Sequence, residues 1–99
     1  MKQYSFILIG AGNRGVSYTT EMLKTPEKYK LVGMADPMLE KQKKCMECFG
    51  LSKEQCYSDW RDILAKPKMA DIAIIATLDH MHYEPAMRAI ELGYDTPFK

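Results

Sequence analysis

The feature that most constrains this chain is a glycine-rich segment that directly follows an apolar run near the N-terminus. The run is Tyr4–Ile9, and residues 10–15 after it read G-A-G-N-R-G. In a G-x-G-x-x-G turn, the first glycine allows a tight bend, the second lets backbone approach a phosphate, and the third lets the helix pack on the strand. The N–H groups at the start of that helix then face the anion. The motif predicts a pyrophosphate-binding turn that contains Gly10, Gly12 and Gly15.

A second apolar stretch ends in an acidic residue, as a dinucleotide-binding unit requires. Residues 30–36 read K-L-V-G-M-A-D, and the long connection 25–29 explains why Asp36 follows Gly10 by more than the usual roughly 20 residues. A carboxylate here accepts hydrogen bonds from the adenosine ribose and repels a 2′-phosphate, so Asp36 predicts NAD rather than NADP. Asp36 followed by Pro37 also fits the start of a helix, and the two roles are compatible.

Length, charge and cysteine usage narrow the class of protein. The 99 residues suffice for one small domain, so residues 1–99 are expected to form a single dinucleotide-binding unit. The net charge of +1 gives no electrostatic basis for binding nucleic acid or a membrane surface. No apolar run approaches the ~20 residues that span a bilayer, and the N-terminus lacks a signal-peptide pattern. Three cysteines, an odd number, favour a reducing compartment, and we expect the cytoplasm.

Strands and helices alternate along the chain. The predicted strands are Tyr4–Ile9, Leu31–Ala35, Gln55–Tyr57 and Asp71–Thr77. The predicted helices are Asn13–Lys24, Pro37–Phe49, Trp60–Ala65 and Tyr83–Leu92. In the second helix, which ends at Gly50, the predicted apolar stripe is Leu39, Met46 and Phe49. This order predicts an α/β fold with a Rossmann-type, doubly wound parallel sheet and right-handed crossovers.

The exit from the fourth strand carries a more specific pattern. Residues 76–84 read A-T-L-D-H-M-H-Y-E, and they are followed by Ala86, Ala89 and then Gly93. This segment resembles the N-terminal domain of the Gfo/Idh/MocA family, whose pattern reads roughly A-T-P-x-x-x-H, then alanines along a helix, then a glycine. Together with the glycine turn and the second-strand acid, the resemblance covers all 99 residues. It implies the NAD-binding Rossmann domain of an oxidoreductase.

The resemblance implies further cofactor contacts, position by position. Asn13 and Arg14 fall beside the pyrophosphate. Thr77 and Leu78 fall where the family's Thr-Pro lies against the cofactor, near the nicotinamide-side ribose, and His82 matches the family's histidine on the cofactor-facing turn. Leu78 stands in place of the proline, which loosens the turn but removes no hydrogen-bonding group.

The C-terminal residues depart from the family pattern. The family continues into a strand and then E-K-P, whose lysine commonly polarises or protonates the substrate oxygen, whereas residues 96–99 read T-P-F-K. Lys99 is therefore not assigned that role, and no catalytic residue is assigned. We expect these 99 residues to lack the family's second domain, which in the family supplies the substrate site and much of the oligomer interface. We therefore expect an incomplete Rossmann domain that is inactive alone and forms homo-oligomers only with that domain.

The resemblance implies hydride transfer between a nicotinamide cofactor and a sugar, cyclitol or related polyol. One alternative is an NAD-dependent glycosidase, because some relatives cleave glycosidic bonds through transient oxidation by NAD. A second alternative is a noncatalytic nucleotide-binding module. A third is a nonfunctional fragment whose exposed sheet edge makes it aggregate.

Two other motifs suggest metal or redox chemistry less convincingly. His80 and His82 alternate along an extended segment, but the sequence offers no third and fourth ligand nearby, so no metal site is predicted. Cys45 and Cys48 form a C-x-x-C in the middle of a predicted helix, whereas an activated cysteine prefers a helix N-terminus. The C-x-x-C is therefore predicted to be structural.

Overall fold

The chain forms a parallel β-sheet with helices on both faces. A computed structural model describes residues 3–77 and 83–96. The strands in these ranges are β1 (Tyr4–Ile9), β2 (Tyr29–Ala35), β3 (Cys56–Tyr57) and β4 (Ile72–Ile75). The helices are α1 (Asn13–Met22), α2 (Leu39–Phe49), α3 (Trp60–Ile63) and α4 (Tyr83–Glu91), with a short 3₁₀ turn at Lys53–Gln55. The strand order β3-β2-β1-β4, parallel throughout, confirms the predicted Rossmann-type sheet.

The central strand β1 is buried on both faces, which is why it reads as an unbroken apolar run. Phe6 and Leu8 face one core, which α2 covers with Cys45. Ile7 and Ile9 face the other core, to which α3 and α4 contribute. These four side chains are fully buried, because strand side chains alternate between the two faces of the sheet and both faces are covered here.

Local hydrogen bonds set the helix boundaries. Helix α2 begins at Leu39 rather than at the predicted Pro37, because Oδ1 of Asp36 accepts a hydrogen bond from the Met38 N–H at 2.8 Å and holds a turn before the helix. Helix α2 ends, as predicted, at Gly50, which adopts the left-handed conformation with φ of 72°. Asp59 caps α3 as predicted.

The buried face of α2 differs from the predicted apolar stripe. Leu39 is 62% exposed, whereas the polar Gln42 is only 7% exposed and Cys45 is fully buried. The Gln42 side chain donates a hydrogen bond to the carbonyl of Asp36, which already lies beyond the end of β2. Leu39 is in the turn of α2 before Gln42, so it lies past the ends of the strands, where the described sheet does not extend beneath it. The assignment of Leu39 to the stripe was therefore wrong, while Met46 and Phe49 do pack against the core.

After α4 the chain returns to the sheet beside β4. Asp95 bridges Ile72 in parallel, with the Asp95 N–H donating to the Asp71 carbonyl at 3.0 Å and the Ala73 N–H donating to the Asp95 carbonyl at 2.8 Å. The sheet therefore extends on the β4 side, and β1 and β4 lie in its interior. Their carboxyl ends form the edge at which the functional site is found.

Candidate functional site

A cleft of about 460 Å³ opens at the carboxyl ends of the parallel strands. The strand order reverses between β1 and β4, and in open α/β sheets ligands bind in the crevice at this point. The residues that line the cleft are Ile9, Gly10, Gly12, Ala35, Asp36, Pro37, Met38, Lys41, Ser58, Asp59, Trp60, Arg61, Ala76 and Thr77. Four of the predicted site residues, Gly10, Gly12, Asp36 and Thr77, are therefore brought together here.

Two glycines of the turn are required by close backbone packing. Gly10 has φ of +89°, and a Cβ added to it would lie 2.9 Å from the carbonyl of Ala76. A Cβ on Gly15 would lie 2.5 Å from the Gly10 oxygen and 3.0 Å from the Ala76 Cβ. The distances of 2.9 Å at Gly10 and 2.5 Å at Gly15 are too short for a real Cβ, so Gly10 lets β1 turn against the end of β4, and Gly15 lets α1 pack on that turn.

Gly12, the second glycine of the motif, is different, because the described residues leave space around it. Apart from its two chain neighbours, no atom of the described residues lies within 4 Å of a Cβ added to Gly12, and its φ of −72° suits any residue. Gly12 is the N-cap of α1, which has no side-chain hydrogen bond at its cap and no acidic residue in its first turn. The first turn of α1 therefore supplies no carboxylate to offset the positive end of the helix dipole at the cleft.

The carboxylate of Asp36 joins two segments of the cleft. Its Oδ2 accepts a hydrogen bond from the Ala11 N–H at 2.8 Å, and its Oδ1 accepts one from the Met38 N–H at 2.8 Å. Its own N–H donates to the Tyr57 carbonyl at 2.9 Å, and the residue is only 6% exposed. Asp36 thus fixes the glycine turn against the start of α2 while its side chain borders the cleft.

The segment after β3 forms a wall that the sequence analysis did not assign to the site. Ser58, Asp59, Trp60 and Arg61 all line the cleft. The Arg61 guanidinium carbon lies 4.6 Å from the Trp60 ring centroid, and Nη1 of Arg61 lies 3.3 Å from Oδ1 of Asp59. Their position after a predicted strand was the one sequence signal for this assignment, since residues just after any parallel strand lie at the same edge of the sheet.

The remaining predicted site residues are only partly described. Asn13 and Arg14 begin α1, and their side chains lie outside the described structure. Leu78 and His82, like His80, fall outside the described residues. Their assignment to the cofactor therefore stays a prediction.

The C-x-x-C lies within α2, behind the cleft. Cys45 is buried and Cys48 is exposed. Burial, together with nearby groups that include Cys56 and Asp36, raises the pKa of the Cys45 thiol from an ordinary 9.0 to about 11, and burial also raises the pKa of Cys56. A thiol with so high a pKa stays protonated near neutral pH and is a poor nucleophile or metal ligand.

Metal binding and membrane insertion are two other classes of function, and the described ranges 3–77 and 83–96 bear on both. Within them no group of three or more His, Cys, Asp or Glu side chains is placed to hold a metal ion. Of the helices described, none has the length and apolar character needed to cross a membrane.

The fold and the glycine turn define a Rossmann-type domain, and the sequence comparison specifies its family. The profile of the GFO_IDH_MocA oxidoreductase family, described by its NAD-binding Rossmann fold, matches residues 4–96. The chain therefore belongs to the Gfo/Idh/MocA family as its NAD-binding domain. No curated protein matches the chain.

Solved structures of dehydrogenases share this fold. The WlbA dehydrogenase from Bordetella pertussis, in complex with NADH and UDP-GlcNAcA, has 21% identity and a TM-score of 0.84 over 97% of this chain. The scyllo-inositol dehydrogenase from Lactobacillus casei, with bound NAD(H) and scyllo-inositol, has 16% identity and a TM-score of 0.84 over 96% of this chain. An NAD-binding protein from Listeria innocua has 28% identity and a TM-score of 0.75 over 96% of this chain. The chain spans only 28%, 27% and 26% of these three proteins, respectively.

Proposed function

We propose that this chain binds NAD in the cleft at the carboxyl ends of its strands, as the cofactor-binding part of an oxidoreductase. The observation that carries the proposal is the open space at Gly12, at the uncapped start of α1. Because no atom of the described residues, apart from the two chain neighbours, lies within 4 Å of a Cβ built there, their packing does not require glycine at this position. A phosphate brought close to the backbone does require it.

The pyrophosphate is bound by backbone in this proposal. Gly10 and Gly15 shape the turn, and the N–H groups at the start of α1, with Asn13 and Arg14 beside them, face the anion. The absence of an acidic residue from the first turn of α1 supports this role, since a carboxylate there would compete with the phosphate.

The adenosine ribose lies at Asp36, which favours NAD over NADP. The carboxylate borders the cleft, where a negative charge repels a 2′-phosphate. Each of its oxygens accepts one backbone hydrogen bond, and an oxygen with further lone pairs still accepts from a ribose hydroxyl. The adenine then lies beside Met38 and Trp60, whose side chains give the adjoining wall an apolar and aromatic surface.

The nicotinamide side of the cofactor is assigned to the end of β4. Thr77 lines the cleft there, and we extend the site to Leu78 and His82 on the family pattern. When bound, NAD supplies a carbon that accepts or donates hydride. The chain's own contribution is to hold the dinucleotide, because we assign none of its residues to moving the substrate proton.

The reaction we propose for the whole protein is oxidation or reduction of a CH–OH group on a sugar, cyclitol or related polyol. Structures of the same fold include a complex with UDP-GlcNAcA and one with scyllo-inositol, which supports this substrate class. A second domain of the whole protein would supply the substrate site and the homo-oligomer interface, so the 99 residues alone would be inactive. We propose that the protein is cytoplasmic, because three cysteines, an odd number, favour a reducing compartment.

The binding proposal is tested by calorimetric titration of the chain with NAD and NADP, beside Gly12→Val. We expect NAD to bind more tightly than NADP, and the added side chain to abolish binding while leaving the fold intact. Equal NAD affinity in Gly12→Val and in the unaltered chain would refute the pyrophosphate assignment. Substrate-dependent accumulation of NADH by the whole protein would support the oxidoreductase and exclude a glycosidase, which regenerates its cofactor in each cycle.

A further inference from the structure

One buried polar side chain behind the cleft has no part in the proposed function. Gln42, on α2, is only 7% exposed. Its Nε2 donates a hydrogen bond to the Asp36 carbonyl at 2.8 Å and reaches Oγ of Ser58 at 3.4 Å. These two acceptors lie just beyond the ends of β2 and β3, so a single amide joins both sides of the adenosine end of the cleft.

A polar residue is costly at this position of the helix. The face of α2 that carries Gln42 also carries the fully buried Cys45, and an apolar side chain would fit such a face without the cost of desolvating an amide. The hydrogen bond to Asp36 offsets that cost and fixes where the amide points. Gln42 therefore contributes a specific geometry at the strand ends rather than apolar packing.

We propose that Gln42 is a positioning residue for the adenosine part of the dinucleotide. It holds the turn after β2 at a fixed spacing from the turn after β3, so that the Asp36 carboxylate and the Trp60 ring face the same space. This inference rests on the proposed function, because it concerns the same cleft. Gln42 itself does not line the cleft and acts through Asp36 and Ser58.

The chain offers a matched control for a merely structural role. Gln55 also bonds to β2, with its Nε2 donating to the Val32 carbonyl at 3.1 Å and its Oε1 accepting from the Ser52 N–H at 2.8 Å. Gln55 is partly buried, whereas Gln42 is buried, and Gln55 lines a separate groove with Gln3, Leu51 and neighbouring residues. Removing either amide should cost stability, whereas only the loss of Gln42 should change the cleft.

The test compares Gln42→Met with Gln55→Met in the full chain. Unfolding in urea gives the stability of each variant, and titration with NAD, and separately with ADP, gives the affinity at conditions where both are folded. We expect Gln42→Met to bind NAD and ADP about fivefold more weakly than Gln55→Met, the equivalent of one net hydrogen bond. Gln42→Glu should weaken binding further, because its carboxylate would face the Asp36 carbonyl.

Nuclear magnetic resonance on the unaltered chain provides a second measurement that does not depend on folding of a variant. Saturating ADP should slow hydrogen exchange of the Gln42 side-chain amide and leave that of Gln55 unchanged. Equal affinities in the two methionine variants, or equal exchange responses, would overturn the positioning role while leaving NAD binding intact. Failure of the unaltered chain to bind NAD or ADP would instead overturn the proposed function, and this inference with it.

Discussion

The backbone N–H of Ala11 donates a 2.8 Å hydrogen bond to Oδ2 of Asp36, so the acid at the end of β2 holds the glycine turn at the end of β1. The other carboxylate oxygen holds the Met38 N–H at the start of α2. Asp36 therefore has a structural role in addition to the proposed contact with the ribose. The two roles separate experimentally, since stability reports the first and the choice between NAD and NADP reports the second.

Replacing Asp36 by Ala should destabilise the chain by about 2–3 kcal/mol, because the buried Ala11 N–H and the part-buried Met38 N–H lose a charged acceptor. Urea unfolding measures this change. Asp36→Asn should lower the free energy of unfolding by less, since its amide oxygen still accepts one of the two hydrogen bonds. An unchanged unfolding midpoint in Asp36→Ala would show that the two hydrogen bonds contribute little.

The same variants test cofactor choice. If Asp36 binds the ribose and repels a 2′-phosphate, Asp36→Ala should weaken NAD binding more than NADP binding. Loosening of the glycine turn affects both cofactors alike, so the ratio of the two affinities is the informative quantity. Equal weakening, or none, would contradict the ribose assignment.

Adding one methyl group should mainly reduce stability at Gly10 and mainly weaken NAD binding at Gly12. Gly10→Ala should lower the free energy of unfolding by about 1–3 kcal/mol or more, because it forces a side chain into a positive φ and against the Ala76 carbonyl. Gly12→Ala should change that free energy by less than about 1 kcal/mol yet weaken NAD binding. Thermal unfolding and NAD titration of both variants check the contrast, and a strongly destabilised Gly12→Ala would contradict it.

Stability should fall in alkaline solution as Cys45 titrates. Because its pKa is raised from 9.0 to about 11 in the folded chain, the protonated thiol stabilises the fold fully below pH 9. That contribution falls by about 1 kcal/mol per pH unit from pH 9 to 11, and Cys56 adds to the loss in the same direction. Urea unfolding at several pH values should give a shallower decline for Cys45→Ala than for Cys48→Ala, the matched control at an exposed thiol.

Trp60, the single tryptophan of the chain, should report binding through its fluorescence. It lines the cleft, and a base stacked on an aromatic ring gains about 1–3 kcal/mol, so Trp60→Ala should weaken NAD binding roughly tenfold. Trp60→Phe should retain most of the affinity. Tyr18, an exposed aromatic on α1 that does not line the cleft, gives the control Tyr18→Ala, for which we expect no change.

The strands and the glycine turn were predictable because their signals are local. The apolar run of β1 and the glycine spacing each involve consecutive residues, and β1 has the predicted bounds Tyr4–Ile9 in the structure. The start of α2 was not predictable in this way. It depends on the hydrogen bond that the Met38 N–H donates to the Asp36 carboxylate, which competes with helix formation at Pro37.

The wall after β3 and the burial of Gln42 were missed for a different reason. Strand β3 has only two residues, so its end gave little indication that Ser58 and Trp60 would join the site. Gln42 is polar, and a polar residue on a helix is normally assigned to the solvent face. Its burial depends on acceptors that only the folded sheet places beside it.

The central claim, that NAD binds at the carboxyl ends of the strands, is tested most directly by an amide nitrogen–proton spectrum of the chain during titration with NAD. We predict saturable shifts at Gly12, Asp36, Trp60 and Thr77, with little change along the opposite groove at Gln3 and Leu51. Shifts confined to that groove, or no saturable shift in a folded chain, would contradict the claim.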